Sequence, residues 1–171
     1  MAGRNRLGVA VMSATVVFCI AQTAFADSHT ASGNFEYVQV MTKDYTVVEH
    51  AQQEIIAGSL KGVNTITNSS GGPFKEGASS SLIAVVYATK SAAGMDAVSQ
   101  GVLTDSDGDK RYTVAKRTAG DVSVGGGGQG GMELNGGTGK YEGIIGTCEY
   151  SADYLSEDRV VVRASCEWRR N

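Results

Sequence analysis

Residues 143–169 read GIIGTCEYSADYLSEDRVVVRASCEWR, and this stretch decides the fold. Val160, Val162, Ala164, Cys166 and Trp168 are apolar at every second position, while Arg163, Ser165, Glu167 and Arg169 alternate with them. Upstream, Ile144, Cys148 and Tyr150 share one parity, with Thr147 and Glu149 on the other. Side chains alternate faces along a strand, so a period of two marks two strands, with both cysteines on the apolar face. Pairing Cys148 with Cys166 centres a hairpin on residue 157, inside the polar stretch Asp153–Asp158. Parity and register thus offer a cross-strand disulfide, worth about 3 kcal/mol in the chain-entropy account when unstrained. Two separate buried thiols are the alternative.

The rest of the chain follows the same grammar. Beyond residue 26 it is rich in Val, Thr and Gly and poor in Leu, the reverse of helix usage. Runs bounded by Gly, Asn, Asp and Ser place strands at 34–41, 45–50, 54–67, 80–89, 97–104, 110–117, 131–134, 143–151 and 159–169. Small residues around Ala92–Asp96 favour a loop over a helical turn. Eight or nine antiparallel strands without a helical layer make an all-β domain, either a sandwich or a closed barrel. An outer-membrane barrel does not fit, because charges and glycines interrupt most strands and aromatics are only 7% of the chain.

Residues 1–26 read as a cleavable export signal. Arg4 and Arg6 form the basic start, Leu7–Ile20 the apolar run, and Ala24-Phe25-Ala26 an A-x-A cleavage site. The run is too short for a membrane span. The bulky Phe18 before Cys19 argues against a lipid anchor. The expected mature protein is one domain, residues 27–171, periplasmic or secreted and not inserted in a membrane. Losing two arginines and no acids leaves 13 basic against 18 acidic side chains, so the net charge moves from −3 to −5. With no basic stripe, nucleic acid is not an expected partner. Cys148 and Cys166 then make an even count in an oxidising compartment.

Three motifs invite chemistry and decline it. Gly136-Gly-Thr-Gly-Lys140 suggests a phosphate loop, but Leu134 stands where the first glycine belongs and Tyr141 follows the lysine. Asp105-Ser-Asp-Gly-Asp109 suggests a calcium loop, yet the glycine is fourth and the twelfth residue is Lys116. A tight Asp-Gly hairpin fits it better. The glycine run from 125 to 131 reads as a flexible connection, and His50 has no nucleophile motif to serve. No metal-ligand spacing appears, and no cofactor is expected.

The stretch Leu134-Asn-Gly-Gly-Thr-Gly-Lys-Tyr-Glu-Gly-Ile-Ile-Gly146 resembles the Gly-Gly-[Thr/Ser]-Gly-x-[Phe/Tyr]-x-Gly-x-x-Gly signature of the allene oxide cyclase and dirigent superfamily. Gly72-Pro73-Phe74 resembles a loop of its bacterial exported members, and Leu103–Tyr112 their Asp-Gly hairpin. The resemblance implies an eight-stranded antiparallel closed barrel, calycin-like, with a mostly apolar central cavity. It also implies a polar group in an early strand, for which Glu36 is the candidate acid or base. By parity, Ile144, Tyr150 and Trp168, with Tyr112 and Val114 of another strand, are the expected cavity walls. Three functions follow: a carrier of a small apolar ligand, a cofactor-independent isomerase or cyclase of hydrophobic substrates, or a structural protein with a filled barrel.

Overall fold

The computed structural model describes residues 32–117 and 119–171; the expected signal and Cys19 lie outside them. Eight strands follow one another: β1 (Ser32–His50), β2 (Gln53–Ser69), β3 (Ser79–Ser91), β4 (Gly94–Asp105), β5 (Lys110–Arg117), β6 (Gly127–Gly137), β7 (Ile144–Tyr154) and β8 (Arg159–Arg170). A single 3-10 turn, Gly139–Tyr141, precedes β7. Each strand pairs antiparallel with the next, and β1 closes on β8, so the sheet is a closed barrel with no edge.

Short turns join β1 to β2 and β3 to β4, where two residues each suffice, and short loops join β4 to β5 and β7 to β8. The two longer β-to-β connections, 70–78 and 118–126, lie at opposite ends of the barrel. Each carries one apolar side chain inward, Phe74 at one end and Val122 at the other. Alternation sets the interior: Leu82, Ala84, Val86 and Ala88 of β3 are buried, while Ile83, Val85 and Tyr87 between them are exposed.

Cys148 and Cys166 are directly paired across β7 and β8, with 1.99 Å between sulfurs. The register is the one that parity and the hairpin centre required.

Two readings of the sequence need correction. The expected break at residues 42–44 does not exist, and the first two segments are one long strand. Lys43 stays in the strand and sends its ammonium to the carbonyl of Val122, at 2.8 Å. The glycine run is likewise no flexible loop, since Gly127–Gly131 form the first half of β6 and pair with β7. Glycine is required there for space. A Cβ at Gly130 would sit 2.6 Å from the Tyr150 ring, and one at Gly128 3.1 Å from the Arg117 side chain.

Candidate functional site

The interior is divided by side-chain size. Toward the Val122 end the inward positions are small: Ala84, Ala88, Ala97, Ala115 and Ala152. Five alanines facing one another leave a cavity of about 80 Å³ inside the barrel. Met41, Leu60, Val86, Met132, Val160 and Val162 are among the other apolar residues of its wall, and Val122 lines it from the β5–β6 connection. Volumes of this size hold several waters or one small ligand.

Its polar groups are few. Gln39, Ser99 and Thr113 line the wall, joined by the phenols of Tyr45, Tyr150 and Tyr154 and by Arg117. Arg117 is only 4% exposed. Its Nη2 lies 3.5 Å from the Tyr154 hydroxyl and 3.9 Å from the Met95 sulfur, both long for hydrogen bonds. Two cations lie near the Tyr154 ring, the Arg117 guanidinium at 5.6 Å and the Lys43 ammonium at 5.0 Å from its centroid. Burial pushes the phenols of Tyr45 and Tyr150 above their ordinary range, even though Arg117 pulls the other way, so both stay neutral.

The β5–β6 connection is held over this end by matched contacts. Gly125 donates to the Tyr154 carbonyl and Tyr154 to Gly126, at 2.8 and 3.0 Å. Asp121 accepts from the Ser123 amide and hydroxyl, and Lys90 reaches it at 3.2 Å. The Ser123 donors and then Lys90 hold the Asp121 carboxyl down at about 2.

The Phe74 end is filled. The Phe74 ring stacks on Phe35 at 3.9 Å and meets Tyr141 at 5.7 Å and Trp168 at 5.5 Å. Arg111 is 3% exposed, with its guanidinium 5.2–5.7 Å from the rings of Phe35, Phe74 and Tyr141. Its Nη2 donates to the Asn64 side-chain oxygen at 3.3 Å. Burial weakens the guanidinium's hold on its proton, yet arginine remains charged in proteins.

The Gly-Gly-Thr-Gly-Lys stretch is the fastener of this plug. Lys110 and Thr138 exchange hydrogen bonds, the Lys140 amide donates to Asp109, and the Lys140 ammonium reaches Asp105 at 2.7 Å and Asp107 at 2.5 Å. Gly139 has a positive φ of 53°, and a Cβ there would strike the Asp109 carboxylate. Burial alone would raise Asp105; hydrogen bonds from Lys140 and from the amides of Asp107 and Asp109 outweigh it and hold the carboxyl below its ordinary value. The aspartates that suggested calcium are thus occupied by an ammonium and by backbone donors, and Tyr141 is pinned inward.

Of the residues expected to line the cavity, Tyr150 does. Ile144 and Trp168 are inward but belong to the packed Phe74 end. Tyr112 is a correction: it is 39% exposed on the outer wall, and Val114 shares that outer face. The inward parity of β5 is Arg111, Thr113, Ala115 and Arg117, two charges that an apolar-face rule assigns to solvent. Glu36 is also a correction. It is exposed, between the buried Phe35 and Tyr37, so its carboxylate faces water outside the barrel and no longer qualifies as a cavity acid or base. Arg117, Tyr45 and Tyr154 were missed; the signal for Tyr154 was its shared parity with Ile144, Cys148 and Tyr150, and that for Arg117 was the register that sets Thr113 opposite Gly101.

Compared with known protein families, curated proteins and solved structures, the chain matches none.

Proposed function

We propose that this protein is an exported binding barrel, of the allene oxide cyclase and dirigent kind, that holds one small and mostly apolar molecule at its centre. The observation that carries the reading is the cavity of about 80 Å³ opposite a solidly packed plug. A barrel that served only as a scaffold would gain stability by filling those alanine positions, because emptied core volume costs free energy. The signal-like start and the paired cysteines support an oxidising compartment. The isomerase alternative rested on Glu36, and that carboxylate faces water outside the barrel.

Native mass spectrometry of the protein purified from the compartment of the cell it is exported to tests the reading. A retained small molecule, lost when Ala115→Leu fills the cavity, is the expected result. Uniformly empty protein that also gives no methyl shift under xenon would overturn it.

A further inference from the structure

Two arginines face the interior of one strand, and only one of them is enclosed on all sides. Arg111 is surrounded by three aromatic rings and the Asn64 amide. Arg117 borders the cavity, and among the described residues no carboxylate comes within 4.0 Å of it. The phenols of Tyr45 and Tyr150 are neutral groups, and Lys43 brings a second positive charge to the Tyr154 ring. A buried cation without a counter-ion is costly, and a ligand in the cavity that Arg117 borders can supply one.

Resting on the binding reading above, we propose that the cavity's ligand is a compact monocarboxylate whose anionic head meets the Arg117 guanidinium while its apolar body lies among the alanines. A planar guanidinium suits a carboxylate because it presents two parallel N–H donors to two oxygens. The Tyr154 hydroxyl, beside the same Nη2, is placed to donate a further hydrogen bond. Size limits the body. Benzene, with six carbons, occupies cavities of roughly 150 Å³, so a volume of about 80 Å³ is room for an apolar body of about three carbons beyond the carboxylate held at Arg117. Met41 and Met132 in the wall are flexible enough to admit a slightly bulkier branch.

Isobutyrate and isobutyramide have the same shape and differ in charge, which makes them the probes. Each is titrated into the folded protein while the methyl signals of Ala115, Met41 and Met132 are followed by NMR, with xenon as an apolar control. The expected result is an affinity for isobutyrate at least tenfold above that for the amide, with the gap narrowed in Arg117→Lys and erased in Arg117→Met. Equal affinity for acid and amide, or xenon binding alone, overturns the anionic ligand and leaves the binding barrel standing. No shift with any of the three overturns both. If Arg117→Met does not fold, the acid–amide comparison in the unaltered protein still decides.

Discussion

Arg111 and Arg117 leave the same face of β5, three inward positions apart, and come to opposite ends of the interior. Around Arg111 the neighbours are large: Phe35, Phe74 and Tyr141 cover the guanidinium and nothing can enter. Around Arg117 the nearby strands offer Ala88, Ala97, Ala115 and Ala152, and room remains. The lesson is that a buried charge does not mark a site by itself. Neighbour size decides whether it becomes part of the packing or the wall of a cavity.

The sharpest way to break this contrast is at the plug. Phe74→Ala removes a fully buried ring stacked on Phe35 and should cost about 3–5 kcal/mol in urea unfolding. Val122→Ala, a smaller and only partly buried truncation at the opposite end, should cost about 1 kcal/mol or less. Similar losses at the two ends would mean that the Val122 end is packed as tightly as the plug.

The disulfide comes next in size. Replacing Cys148 and Cys166 together with Ala should lower stability by about 2–4 kcal/mol while circular dichroism keeps its β-sheet form. A loss of fold under mild conditions would show that the other six strands cannot hold the last hairpin in register.

How far the sequence could be read follows the same division. The register and disulfide of the last hairpin were legible, because Ile144, Cys148, Val160, Val162, Cys166 and Trp168 alternate with polar residues, although β7 runs on to Tyr154, three residues past its expected end. Strand β5 was misread because both of its faces are mixed. Tyr112 and Val114 look like core, yet they cover the outer wall, and Arg111 and Arg117 look like surface. Only the register with β4 settles the matter, through Leu103 opposite Arg111. The glycines of β6 were illegible for a related reason: their role is to make room for Tyr150 and Arg117, and an absent side chain leaves no pattern.

A subtler test concerns the cost of the unbalanced charge. Arg117→Met, a change to an apolar side chain of similar length, should stabilise the ligand-free protein by about 1 kcal/mol, since it removes a buried charge that lacks a carboxylate partner. Thermal unfolding without added ligand measures it. A clear destabilisation would mean that Tyr154 and Met95 already satisfy the guanidinium.

The smallest effect is one of pH. Asp121 has a folded-state pKa of about 2 against an unfolded value near 3.9. Its depressed value means that its contribution is complete above about pH 4 and fades as the pH falls toward 2. The carboxylate is partly exposed, so solvent screening keeps the contribution modest. Relative to the free-peptide rate at each pH, amide exchange at Val122 and Ser123 should accelerate over that window before the Phe74 end responds. Exchange that rises equally at both ends would place the acid sensitivity elsewhere.

The meander topology has a kinetic consequence. Seven of the eight strand pairings join neighbours along the chain, and only β1 with β8 unites distant segments, as in Phe35 opposite Cys166. Hairpins close quickly, whereas a contact across most of a domain waits on chain diffusion, so this seam should be the last part to zip and the slow step of folding. Until it does, β1 and β8 are raw edges, able to add a strand from a neighbouring molecule. Dilution during refolding should therefore raise the yield more than any change that strengthens a hairpin.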